Sequence, residues 1–219
     1  MVDIFDEVEE ELREERMREF VKKYGILLIA ACLLVVGSVA GWKAWGWYEE
    51  RQDLAAATRY LTAASMTQVA GVAGPNRQAA SAAFQAATAD APDGYRVLAR
   101  LREAALRAES GDLDGASTLW NQVAADTSAD SLLRDLANLN WCFYHADKGD
   151  PGLLESRLKP LAAPGNPWRA LAREQLALLD LRQGRTDAAK TQLQVLSVDP
   201  TAPNGVRARA SALLERAGG

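Results

Sequence analysis

A chain of 219 residues that is 48% hydrophobic and 25% charged has the apolar side chains to bury a core, which excludes a disordered chain. The hydrophobicity is mostly Ala and Leu, and alternating runs of β-branched residues are nearly absent, so the composition favours an all-α fold over a sheet. The net charge of −4 sits wholly in the first 24 residues, with nine acids and five bases; the rest carries twenty of each, which excludes the concentrated positive surface of a nucleic-acid binder.

In chain order, the first element is an acidic amphipathic helix over 1–22, with Ile4, Val8 and Leu12 on one face. It reads equally as a solvated helix held near a membrane by Arg18, Lys22 and Lys23, or as a docking helix for a membrane partner. A transmembrane helix over 23–48 follows. From Ile26 to Trp42 no side chain is charged, and with Tyr24 at one end and Trp45 and Trp47 at the other the run reaches roughly 20 residues, enough to cross a ~30 Å hydrocarbon core. A core helix of a soluble protein would show polar residues every third or fourth position, and this run has none stronger than Cys32 and Ser38.

"GSVAGW" offers small residues at Ser38 and Ala40 as a signal cleavage site would, but the preceding segment is long and acidic where signal n-regions are short and basic. The reading is an uncleaved anchor; a secreted, cleaved product is the lesser alternative. Arg13, Arg16, Arg18, Lys22 and Lys23 precede the span, against Lys43, Arg51 and Arg59 after it, which puts the N-terminus in the cytoplasm and the large domain outside. Cys32 in the span and Cys142 far along the domain leave no disulfide to form within the domain. Gly37 and Gly41 are spaced as in close helix packing, though small residues are also simply tolerated in such spans, so dimerisation stays open.

Beyond the span, punctuation recurs at nearly constant intervals. Turns around Pro75, Gly111, Gly149 and Gly184 are 36, 38 and 35 residues apart. Five residues past each comes a small or aliphatic residue, Ala80, Ala116, Leu154 or Ala189, and four later a large one, Phe84, Trp120, Leu158 or Leu193. Seven before the last three turns stand Ala104, Cys142 and Ala177. Small residues let two helices approach, and the large ones fill the space to the next unit, so Phe84, Ala104, Trp120, Cys142, Leu158, Ala177 and Leu193 are read as repeat-packing residues. The spacing predicts helices over 23–67, 76–90, 94–109, 114–127, 131–147, 151–161, 167–183, 187–196 and 203–217, the last a capping helix with Val206, Ala210, Leu213 and Leu214 on one stripe.

Catalytic chemistry finds little to work with. His145 stands alone, better read as a helix-surface or interface residue than as a metal ligand or base, and there is no HExxH, GxSxG or phosphate-binding glycine loop. The reading is no enzyme, no metal and no cofactor.

"AASAAFQAATADAP", with Ala80, Phe84, Ala87 and Pro92 in register, resembles the second half of the tetratricopeptide repeat, although the first-helix Trp, Leu-Gly and Tyr are missing. The resemblance covers about 61–217. It implies a solenoid domain over 49–219 whose inner groove is lined by the first helix of each pair: here Leu98, Leu101, Leu136, Leu139, Phe143, Leu171 and Leu178. Such leucines are commonly inter-helix core; any left exposed would suit an apolar helix or an unfolded segment. The whole arrangement, with "AGWKAWGWY" closing the span, resembles the YfgM-like family of ancillary subunits of the bacterial SecYEG translocon, from which the longer acidic N-terminus departs. That resemblance implies an inner-membrane protein with a periplasmic C-terminal domain, working with the translocon, a membrane-anchored periplasmic prolyl isomerase and unfolded export clients. The alternative is a scaffold or assembly subunit of another inner-membrane complex, respiratory, envelope-biogenesis or division.

Overall fold

The computed structural model describes residues 4–67, 74–89 and 91–218, and among them the chain is all-helical. The helices are α1 (Ile4–Thr67), α2 (Gly74–Ala87), α3 (Asp93–Glu109), α4 (Leu113–Ala125), α5 (Ser131–His145), α6 (Pro151–Leu161), α7 (Arg169–Arg182), α8 (Thr186–Val198) and α9 (Asn204–Gly218). Two compact units divide the chain, Met1–Gln52 and Asp53–Gly219.

In the first unit the tail and the apolar run form one helix without interruption at 22 and 23. The junction holds no Pro, and Gly25 costs only about 1 kcal/mol against strongly helix-forming neighbours, too little to break it. The described apolar side chains of the run are exposed: Ile26 is 84% exposed and Trp42 80%. An apolar surface of that extent around a whole helix needs a non-aqueous environment. Among the described residues, α1 is the helix long and apolar enough to cross a membrane. Ser38, the polar residue in the run, donates its hydroxyl to the Leu34 carbonyl at 2.7 Å, which satisfies it within the helix. Past the apolar run, the Arg51 guanidinium lies 3.8 Å from the centroid of the Trp47 ring.

The second unit is built from hairpins. Each helix from α2 onward packs on its neighbours in sequence, and α3, α5, α7 and α9 also touch one another in order. They form the inner layer, and α2, α4, α6 and α8 the outer. The last turns of α1 join this unit: Ala63 is fully buried beside Ala80 and Phe84, and Tyr60 meets Phe84 edge-on at 5.5 Å.

The seven residues read as repeat-packing are all buried. Ala104, Trp120, Cys142 and Leu158 lie in one continuous core spanning α3 to α7, Ala177 and Leu193 in the core under α9, and Phe84 in the core under α2. Trp120 stacks on Tyr144 at 5.1 Å.

Two of the periodic turns are the same device. Gly111 (φ 89°) and Gly184 (φ 73°) follow the ends of α3 and α7 in the left-handed region that a side chain strains. Asp112 N–H returns to the Arg107 carbonyl and Arg185 N–H to that of Asp180, both at 2.9 Å, closing the two helices identically. Gly149 works otherwise. Its backbone is not left-handed, but it donates to the His145 carbonyl at 2.7 Å, so close that an added Cβ would sit 2.7 Å from that oxygen. Asp112, Asp130 and Asp150 cap the helices that follow, accepting from Gly115, Leu132 and Leu153 N–H. Each such cap stabilises by about 1 kcal/mol.

Candidate functional site: an apolar groove on the inner layer

The inner layer opens between α5, α7 and α9 into a groove of about 830 Å³ with mostly apolar walls. α5 contributes Leu136, Leu139, Asn140, Phe143 and Tyr144; α7 contributes Leu171, Glu174, Gln175 and Leu178; α9 contributes Arg209, Ala212, Leu213 and Arg216. Trp168, just before α7, closes one side.

The i, i+3, i+4 spacing of Leu136, Leu139, Asn140 and Phe143 puts them on one stripe of α5, and the same spacing aligns Leu171, Glu174, Gln175 and Leu178 on α7. Trp168 is fixed by its surroundings. Its indole N–H donates to the Leu132 carbonyl at 3.0 Å and its backbone N–H to Asn166, whose side-chain amide in turn donates to Asp135 at 2.8 Å. Phe143 is 62% exposed and meets Tyr144 edge-on at 5.7 Å. Burial pushes the Tyr144 hydroxyl above its ordinary pKa, with nearby Glu109 adding to the shift, so it stays protonated.

The third wall is held by a charge pair. Glu174, 3% exposed, accepts two bonds from Arg209, from Nε at 2.5 Å and Nη2 at 2.7 Å, which ties α9 to α7. That bidentate contact raises the Arg209 pKa. Arg216 also lines the groove and has no ion pair among the described residues.

Of the groove residues named from sequence, Leu136, Leu139, Phe143, Leu171 and Leu178 line this groove. Leu98 and Leu101 lie on α3 away from it, Leu98 half-buried and Leu101 a core residue 7% exposed. Sequence reasoning missed Tyr144, Trp168, Leu213 and the two arginines. Part of the signal lies in the sequence, since Leu213 belongs to the apolar stripe of α9 that the spacing assigns to the capping helix.

The arrangement is one for binding. The groove's carboxylate is already paired, and apart from the Tyr144 hydroxyl and the exposed Arg216 its remaining walls are apolar or amide. His145 lies elsewhere and is occupied: Nδ1 is 2.8 Å from the Trp141 carbonyl, Nε2 is 3.2 Å from the Ser117 hydroxyl, and the ring stacks on Trp141 at 4.0 Å. Arg157 also lies over Trp141, at 4.1 Å. Burial pushes the Cys142 thiol up to about 12, so it is neutral and unreactive at physiological pH.

Residues 18–151, well over half of the chain, match the family described as tetratricopeptide repeat-like domain. The chain belongs to that family. The chain is also similar to the ancillary SecYEG translocon subunit of Haemophilus influenzae, 29% identical over 133 residues. The match covers 60% of this chain and 62% of that protein, so the chain spans about three fifths of its relative's length. No solved structure matches the chain.

Proposed function

We propose that this chain is a non-catalytic, membrane-anchored protein-interaction subunit that works beside the Sec translocon. The observation that carries the reading is the pairing of a fully exposed apolar helix with a repeat domain whose inner layer opens into an apolar groove. The relative's name, ancillary SecYEG translocon subunit, supplies the place of work.

The basic residues before the span put residues 1–22 in the cytoplasm, 23–48 in the inner membrane and 49–219 in the periplasm. Held there, the domain is confined to the membrane surface beside a channel exit, which raises its effective concentration so that weak contacts suffice. Its partners are the translocon, export clients emerging unfolded, and a periplasmic chaperone such as an anchored prolyl isomerase.

The test is affinity purification of the full-length chain from membranes in mild detergent, beside a variant lacking residues 1–20. Recovery of translocon subunits with both forms supports the reading and assigns the contact to the span or the repeat domain. Recovery of a different inner-membrane complex without translocon subunits overturns it.

A further inference from the structure

Resting on the reading of α1 as a membrane anchor, we propose that the C-terminal end of the span binds the phosphate of an anionic phospholipid between Lys43 and Arg51, beside the Trp47 ring.

Lys43, Trp47 and Arg51 are spaced four residues apart, so they stand one above another on a single stripe of α1. Helical side chains lean toward the N-terminus of their helix, and Arg51 rests its guanidinium on the Trp47 ring, 3.8 Å from the centroid. Stacking fixes the plane of the guanidinium and leaves its N–H edge free to donate. Lys43 stands one turn deeper, at the edge of the apolar run. Its ammonium leaves the hydrocarbon by extending back along the helix toward Trp47, as lysines near span ends do. The two cations therefore converge at the level of the indole, and neither has an ion pair among the described residues. The neighbouring carboxylates do not replace a ligand: Glu49 falls on the opposite side of the helix, and Glu50 lies about 10 Å along the axis from Lys43.

That level is where lipid phosphates lie. At the other end of the span the Lys23 ammonium sits 5.7 Å from the centroid of the Tyr24 ring, which marks the opposite interface. Tyr24 and Trp47 are 23 residues apart, about 35 Å along a helix, between the ~30 Å of the hydrocarbon core and the ~40–45 Å that includes the headgroups. A phosphodiester next to Trp47 meets a planar donor from Arg51 and a point charge from Lys43. Two cations at one phosphate favour a headgroup without a compensating amine, so phosphatidylglycerol or cardiolipin is preferred over phosphatidylcholine.

The experiment is native mass spectrometry of the full-length chain, released from mild detergent, with added phosphatidylglycerol or phosphatidylcholine of the same acyl chains. The proposal predicts that phosphatidylglycerol binds about tenfold tighter, that Lys43→Gln and Arg51→Gln each weaken it about fivefold, and that the double variant loses the preference. Trp47→Leu keeps both charges and an apolar side chain, yet weakens phosphatidylglycerol because Arg51 is no longer held. Millimolar glycerol 3-phosphate, a soluble source of the same group, does not displace the lipid.

The two ways of failing are distinct. If alkaline carbonate extracts the chain from membranes, the anchor reading itself falls. If the chain stays in the membrane but binds both lipids equally, keeps its preference in the double variant, is indifferent to Trp47→Leu or loses lipid to glycerol 3-phosphate, the anchor stands and the phospholipid site is wrong.

Discussion

Removing the guanidinium that holds α9 to α7 tests how the third wall of the groove is made. Arg209→Ala leaves the Glu174 carboxylate, 3% exposed, without either of its two bonds. Stripping one partner from a fully buried pair costs roughly 3–5 kcal/mol. Here 56% of the arginine side chain meets water, which screens the pair, so the cost falls to about 2–3 kcal/mol. The loss is local, because Ala210, Leu213 and Leu214 still pack α9 onto its neighbours and the core from α3 to α7 is untouched. Hydrogen exchange on the full-length chain reads it directly. Amides of α9 should exchange roughly 30- to 150-fold faster, at 1.36 kcal/mol per tenfold, with those of α3 to α5 unchanged. Replacing both residues by leucine removes the stranded charge and should restore most of the protection. Unchanged α9 exchange in Arg209→Ala, or equal acceleration throughout the domain, would refute the argument that this pair latches the last helix.

Trp120→Ala empties a fully buried site and should cost about 3–5 kcal/mol in denaturant unfolding, while Trp120→Phe should cost less than half as much, because the indole N–H it removes is buried without a partner. Gly111→Ala and Gly184→Ala should each destabilise by about 1–2 kcal/mol in the same assay, since both sit at positive φ; equal stability would mean that these turns relax. Cys142 should resist maleimide at pH 8 in the native chain and react once unfolded. Its stabilising effect holds below about pH 9, where the unfolded thiol keeps its proton; between 9.0 and about 12 the unfolded thiol ionises first, so stability should fall by ~1.4 kcal/mol per pH unit, a slope that Cys142→Ala removes.

The helical hairpins were legible because each repeat must close its helices at a fixed interval. Gly111 and Gly184 stand where an αL residue ends a helix, and Ala104, Ala116 and Ala177, all fully buried, stand where two helices meet. Gly149 fits the same period for another reason, its close approach to the His145 carbonyl, which no spacing reveals. The groove was legible only along single helices. The stripes of α5 and α7 follow from 3.6-residue periodicity, but Glu174 and Arg209 meet across 35 residues, and Trp168 is positioned by bonds to Leu132 and Asn166. Such contacts depend on the stacking angle of successive hairpins, which local pattern does not encode. The same limit put Leu98 and Leu101 on the groove list: they occupy a first helix, but the opening lies one hairpin further along.

The most direct test of the account places a photo-crosslinking amino acid at Phe143, 62% exposed on the groove, in the full-length chain in intact cells. The account predicts crosslinks to translocon subunits and to newly exported polypeptides, lost when export is blocked and when the crosslinking amino acid stands instead on the outer face of α4 as a control position. Crosslinks confined to an unrelated membrane complex, unchanged when export is blocked, would contradict it.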